Sequence, residues 1–443
     1  MNKSSPPLFY VAAARLLAIG FALLVSPAFV DADEPTKADP TGAAMTKTDP
    51  TYGQQREFLS HYTQVLELSD GRGARVAICP QWQGRVMTST CGDLAGPSFG
   101  WVNRDFITAG KMSSAFNNYG GEDRFWLAPE GGPFALWFAT GSEQTLPNWF
   151  TPKDMNEGAF QVVSREREPK YRMTRRMSLT NYAQTKFDLE VTREIRLLSQ
   201  AEFAASLVGQ KIAGHDPAPT LDTKGLRTVG FSSSNTITNR GPSMQRDSGL
   251  VSIWILGQFP GGDQTVIIVP YRQGDEKELG PVVKSDYFGQ VPPERLKVTP
   301  AAILFRGDGK SRTKIGTSGK RAMPIAGSID FRTGVLTLVY FTMPADPAAA
   351  LYLNNTWTAK QAEPYAGDAF NSYNDGSSES GPKTVSSFYE LETLAPAVEL
   401  ARDKSTTHEH RTFHFQGEIA ALAPLAKATL GVDLEEVRKM ISH

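Results

Sequence analysis

The densest chemistry in the chain lies in one run, Tyr119-Gly120-Gly121-Glu122-Asp123-Arg124-Phe125-Trp126-Leu127-Ala128-Pro129-Glu130-Gly131-Gly132. Paired glycines at both ends let the backbone turn sharply or approach a ligand closely. Between them sit three carboxylates, one Arg and one Trp. Arg presents a rigid fork of donors to hydroxyl or carboxylate oxygens. Trp offers a flat apolar face with a polar edge. A sugar site uses these groups, with Glu122, Asp123, Arg124 and Trp126 as the expected contacts. An ion-paired loop between two strands has the same composition.

Three later stretches add to this set. Asn371-Ser372-Tyr373-Asn374-Asp375-Gly376 follows Pro364-Tyr365-Ala366-Gly367-Asp368 and reads as a polar, aromatic loop. Asn374 and Asp375 are its candidate binding residues, although an ordinary surface loop looks the same. In Phe388-Tyr389-Glu390-Leu391-Glu392-Thr393-Leu394, a strand would place Glu390 and Glu392 on one face with Cα atoms about 7 Å apart. Two carboxyl groups on a concave face raise each other's pKa, which favours one as acid and one as base. On an open face they are a charged exterior. Finally, Thr407-His408-Glu409-His410-Arg411-Thr412-Phe413-His414-Phe415 places His408, His410 and His414 on one strand face and Phe413 and Phe415 on the other. Three imidazoles in a row could hold a metal, but only with a supporting shell. A polar strand face is the commoner outcome, and neither metal nor cofactor is expected.

The elements that must position these groups are strands. From Phe187 to Leu197 the residues Phe187, Leu189, Val191, Ile195 and Leu197 alternate with polar ones, giving one buried face. Arg193 interrupts that face and so requires a carboxylate partner or a wet pocket. Further strands are expected over Ala74–Ile78, Phe134–Thr140, Leu250–Leu256, Thr265–Tyr271 and Val335–Met343. The last is almost continuously apolar, as a strand covered on both faces would be. Turns such as Pro260-Gly261-Gly262-Asp263 and Arg306-Gly307-Asp308-Gly309 separate them. Many strands with few helical patterns between them argue for a mainly β, antiparallel sandwich rather than a βαβ fold. Helix is expected near the end, from Glu418 to Thr429 with Pro424 as a break, then from a cap at Asp433 with Leu434, Val437 and Ile441 as one apolar stripe.

The N-terminus reads as an export signal over residues 1–32. Lys3 and Arg15 precede an apolar run from Leu16 to Val30, and Val30-Asp31-Ala32 supplies a cleavage site before Asp33. That run is shorter than a bilayer span, and no membrane span is expected after cleavage. Residues 33–53 are rich in Pro, Thr, Asp and Lys and read as a flexible tether to a body at 54–443. The formal charge of −1 offers no basic field for nucleic acid. The two cysteines, Cys79 and Cys91, could form a disulfide in an oxidising compartment or remain as buried thiols.

In this order the stretches resemble an uncharacterised family of exported bacterial proteins in the galactose mutarotase-like superfamily. The marks are Gly120 to Trp126 with Pro129 to Gly132, the Asn371 to Gly376 loop, and Phe388 to Pro396. The resemblance implies a β-supersandwich, a carbohydrate ligand, and a setting in the periplasm or outside the cell. Aldose 1-epimerases of that superfamily pair a late Glu base with a mid-chain His acid. Glu392-Thr393-Leu394-Ala395-Pro396 is similar to their Glu motif, so Glu392 is the implied base. Arg124 is the counterpart of an early sugar-holding Arg. The stretch Thr238-Asn239-Arg240-Gly241-Pro242 leads into Leu250–Leu256 without a His, which passes the acid role to His408 or His410. Trp126 would be the stacking platform. The implied activity is carboxylate-led chemistry of an epimerase, lyase or hydrolase kind. Two alternatives are a non-catalytic carbohydrate-binding protein and a structural protein of the envelope.

Overall fold

Period-two burial is the rule along the long strands. Lys186–Leu197 alternates exposed or half-exposed residues with buried ones, and its buried set is Phe187, Leu189, Val191, Arg193, Ile195 and Leu197. The computed structural model describes residues 49–165, 170–207, 223–377 and 387–441. The segment read as an export signal and nearly all of the tether lie outside them. The first described element is the helix Tyr52–Tyr62, which Thr51 and Gln54 cap reciprocally. Tyr52 is fully buried, so the fold starts slightly before the boundary expected at residue 54.

Among the described residues the strands form three antiparallel sheets. The large one has ten strands in the order Leu296–Val298, Ala302–Arg306, Thr265–Pro270, Ile325–Asp330, Val335–Phe341, Ser405–Gln416, Arg227–Asn239, Lys186–Leu197, Lys170–Thr180, Gln161–Arg165. The small one has five, in the order Thr313–Ser318, Asp368–Asn374, Phe388–Leu394, Ser252–Pro260, Arg124–Ala128. A three-stranded sheet, Leu66–Ser69, Arg75–Cys79 and Arg85–Thr90, completes the set. The fold is mainly β, a sandwich, as the strand pattern predicts.

One core joins the large sheet to the small one, with Leu189, Val191, Ile237, Val339 and Phe341 meeting Phe125, Ile253, Ile255 and Leu391. A second core lies on the other face of the large sheet. There Leu336, Leu338, Phe413 and Phe415 pack with Leu422, Leu425, Leu430, Leu434 and Val437 of the C-terminal helices. The Val335–Phe341 strand is therefore covered on both sides. Those helices span Ile419–Leu430 and Leu434–Arg438, the second capped by Asp433. The first runs through Pro424 rather than stopping there, and ends on Gly431 in the left-handed region. No helix among the described residues is long and apolar enough to cross a membrane.

Two expected elements differ. Phe134–Thr140 is irregular rather than a strand. Its apolar residues run together instead of alternating, and its backbone bonds to loop partners, Leu136 N–H to Pro129 O and Tyr182 N–H to Ala135 O. Asn371–Asn374 belongs to a strand rather than a loop, paired with both Phe388–Leu394 and Thr313–Ser318. Cys79 and Cys91 are both buried free thiols.

Arg193 has the partner its position demands. Its guanidinium meets Asp123 with both side chains fully buried, and donates to Asn235 Oδ1 at 2.9 Å and Gly84 O at 3.0 Å. Removing one member of such a pair strands the other charge. Asp123→Ala is expected to cost about 3–5 kcal/mol of stability, measured by denaturant unfolding. The double variant Asp123→Leu/Arg193→Met is expected to recover most of that loss.

Candidate functional site

Period two also divides the Phe388–Leu394 strand between two environments. Tyr389, Leu391 and Thr393 face the sandwich interior, where Tyr389 Oη meets Ser328 and Thr393 Oγ1 meets two histidines. Phe388, Glu390 and Glu392 face the other way and line a cavity of about 300 Å³. The floor of this cavity is the outer face of the small sheet. Arg124 and Trp126 come from one edge strand, Trp254, Leu256 and Gln258 from its neighbour, and Tyr373 and Lys314 from beyond. Loop residues Phe116, Glu130, Trp149, Phe288 and Trp357 supply the walls. Four of the chain's seven tryptophans line it, so its walls are flat and apolar between the charges.

The charges are paired in order across the floor. Arg124 Nη2 donates to Glu390 Oε1 at 3.0 Å, and both groups are buried. Lys314 Nζ and Trp254 Nε1 donate to Glu392 Oε2 at 2.9 and 3.0 Å. Trp149 Nε1 donates to Glu130 Oε1 at 2.9 Å. Burial pushes the Glu390 carboxyl up to about 7, and the neighbouring Glu392 charge adds to the rise against the pull of Arg124. Burial also raises Glu130. For Lys314, burial pulls the ammonium down, but Glu392 and Glu130 outweigh it and the net shift is upward. Lys314 is thus held as a cation, which suits a charge partner and not an amine nucleophile.

The structure brings Glu390, Glu392, Arg124, Trp126 and Asp375 to one cavity. Trp126 does not offer a free face: Arg124 Cζ lies 3.8 Å from its ring centroid and Trp137 packs at 4.2 Å. It contributes an indole edge instead of the expected stacking platform.

Five other expected site residues lie elsewhere, each for a physical reason. Glu122 is fully buried, accepting from Ser89 and lying 2.8 Å from His414 Nε2. Asp123 is taken by Arg193 and by Ser233 Oγ at 2.5 Å. His408 and His410 share Thr393 Oγ1, each at 2.9 Å, inside the sandwich. They sit behind the sheet whose front carries Glu392, so neither reaches the cavity. Asn374 secures a turn, accepting from Gly309 N–H at 2.9 Å and donating to Ser311 O at 2.8 Å. His414 is apart from the other two, with Thr337 on its Nδ1. Among the described residues no cluster of three or more His, Cys, Asp or Glu is placed to hold a metal ion.

The glycines of the first run are needed where expected, but for packing. Gly120 and Gly121 have φ of +93° and +114°, and a Cβ on Gly120 would meet Trp101 O at 2.2 Å. The residues that sequence reasoning missed are Lys314, Gln258 and Trp254. Lys314 stands on the short strand Thr313–Ser318, whose pattern gives no signal. Leu250–Leu256 was legible as a strand, but its extension to Gln258 was not.

A family model matches residues 50–441. The chain belongs to that family, a family of unknown function (DUF6786). No curated protein matches it. Solved structures to which it is similar include a candidate aldose 1-epimerase from Escherichia coli, at 13% identity and TM-score 0.44 over 79% of this chain and 98% of that one. A candidate aldose 1-epimerase from Klebsiella pneumoniae gives 11% and 0.45 over 85% and 84%. A candidate mutarotase from Salmonella typhimurium gives 10% and 0.40 over 79% and 90%. At these values the function of this family member has to be read from its own side chains.

The buried histidines make one measurable consequence. Burial lowers His408 to about 3 and His410 to about 4, from 6.5. The unfolded chain therefore takes up protons first as pH falls. The stability these neutral imidazoles permit is complete above pH 6.5 and is lost progressively towards pH 4. At pH 5 the loss is roughly 2 kcal/mol for each. A thermal melt series from pH 7.5 to 4.5 is expected to show this decline, and His408→Gln/His410→Gln is expected to flatten it.

Proposed function

We propose that this family member is an exported carbohydrate-active enzyme whose acid and base are Glu390 and Glu392. The observation that carries the reading is the buried carboxyl pair on one strand face, each member held by a different cation, inside an aromatic cavity. Glu390, raised to about 7 by burial, is protonated often enough near neutral pH to donate a proton. Glu392 is tied at Oε2, and its buried Oε1 has no partner among the described residues, which leaves one oxygen to accept a proton from a ligand hydroxyl. A carboxyl raised by burial beside a second carboxyl is a pairing from which one site can draw both an acid and a base. Arg124, whose Nε and Nη1 have no partner among the described residues, clamps hydroxyls. The histidines, which the resemblance implies as acids, have no part in it.

A second reading is favoured by one observation. Both carboxyls already accept from strong donors, as they would in a binding protein that keeps the cavity without turnover. Product analysis over a panel of mono- and oligosaccharides separates the two. Under the enzyme reading, Glu392→Gln is expected to bind ligand but lose about 10²–10⁴-fold in kcat. The wild-type rate is expected to fall as pH rises through about 7, because Glu390 then loses its proton. Ligand binding with no product from any sugar would establish the binding reading instead.

The place of action in this proposal is outside the cytoplasm, with residues 1–32 as the delivery signal. N-terminal sequencing of protein recovered from the periplasm or medium is expected to begin at Asp33. An intact N-terminus in the cytoplasmic fraction would sink this part.

A further inference from the structure

Polar groups buried without a partner are rare and costly, and in this molecule several belong to residues that line one space. Arg124 Nε and Nη1, Trp126 Nε1 and Gln258 Nε2 are buried donors with no hydrogen-bond partner among the described residues. Gln258 Oε1, Glu392 Oε1 and Asn118 Oδ1 are buried acceptors in the same condition. All five residues line the cavity over the small sheet.

The mixture identifies the ligand's chemistry. A carboxylate or phosphate group only accepts, so it would match the donors and leave the three acceptors facing bare oxygens. A hydroxyl both donates and accepts. Ring hydroxyls can accept from the guanidinium of Arg124 and can both accept from and donate to the carboxamide of Gln258.

The charge of the lining points the same way. It carries four carboxyl groups, Glu130, Asp375, Glu390 and Glu392, against the three cations Arg124, Arg312 and Lys314. Even with Glu390 protonated, the lining is no more than neutral. Arg124 and Lys314 are each committed to a carboxyl. An anion brought into this space would be desolvated without a net positive field to receive it.

We infer that the cavity takes an uncharged sugar, read through adjacent hydroxyls, and discriminates against uronic acids and phosphosugars. This rests on the carbohydrate reading above and narrows it. Elimination chemistry on uronates, which needs the sugar carboxylate neutralised, is set aside in favour of chemistry at hydroxyl-bearing carbons.

The test is calorimetric titration of the whole protein, at pH 7 and constant ionic strength, with matched sugars. Glucose, galactose, mannose and their disaccharides are compared with glucuronate, galacturonate and the hexose 6-phosphates. At least one neutral sugar is expected to saturate the protein, with its charged counterparts at least tenfold weaker. A uronate or phosphosugar binding as tightly as its neutral counterpart, or more tightly, overturns this inference and leaves the carbohydrate reading standing. No binding by any member of the panel overturns both.

A variant gives a second readout that a merely structural role would not. Gln258→Leu removes two unpartnered polar atoms, so the ligand-free protein is expected to melt no lower than wild type while neutral-sugar affinity drops tenfold or more. A lower melting temperature, or unchanged affinity, counts against the inference. Trp126→Phe deletes one donor and keeps a ring, and is expected to lose affinity in the same direction. An unchanged affinity there also counts against it.

Discussion

Three consecutive ionisable side chains, Glu122, Asp123 and Arg124, are buried at once, and the structure is arranged around giving each a different partner. Glu122 meets His414 and Ser89, Asp123 meets Arg193 and Ser233, and Arg124 meets Glu390. An unpaired charge at any of the three would cost several kcal/mol. The partners come from different elements: His414 and Arg193 from two strands of the large sheet, Glu390 from the centre of the small one. The run therefore fixes how the sheets lie on each other and which way the edge strand of the small sheet turns its side chains. Gly120 and Gly121, with positive φ and no room for a Cβ, let the backbone enter that position.

The same constraint produces the cavity. With Glu122 and Asp123 pointing into the sandwich, Arg124 is left on the outer face, and Glu390 is drawn to it. Glu392, two residues on, falls on the same face and is met by Lys314 from across the sheet. Each pairing satisfies charge but not every hydrogen-bonding position on Arg124 and Glu392, and these residues, with the unpartnered Gln258 side chain, line the same space. A core built for stability alone would replace such groups with apolar ones of similar volume. Local costs of this kind collect where a protein binds something.

Much of this was legible in the sequence, and the failures share one cause. Alternation over Phe187–Leu197 gave the strand, its buried face and the need for either a carboxylate partner or a wet pocket at Arg193, and the structure supplies the carboxylate. The same period placed Glu390 and Glu392 together. Composition also marked Gly120 to Trp126 as the place where chemistry concentrates. It could not say which of Glu122, Asp123 and Arg124 would face the cavity and which would face the core, because that depends on partners 70 or more residues away in sequence. Lys314 was invisible for the complementary reason: a short strand with one Lys has no local feature to distinguish a buried cation from a surface one.

The histidines show the limit most sharply. His408, His410 and His414 do share a strand face, as period two requires, but the face is turned to the sandwich interior. There they are partnered by Thr393, Thr412, Thr337 and Glu122. Thr393 follows Glu392 directly, so a single peptide unit separates the cavity from the histidine layer. The separation is chemical as well as geometric. Burial holds His408 and His410 far below neutrality, so they remain unprotonated at the pH where Glu390, near 7, exchanges its proton. Neither His408 nor His410 is thus a favourable acceptor for a proton on Glu390. The Phe388–Leu394 strand, with Glu390 and Glu392 on one face and Thr393 on the other, stands between the cavity and the histidines of Ser405–Gln416 and keeps the two sets as separate systems.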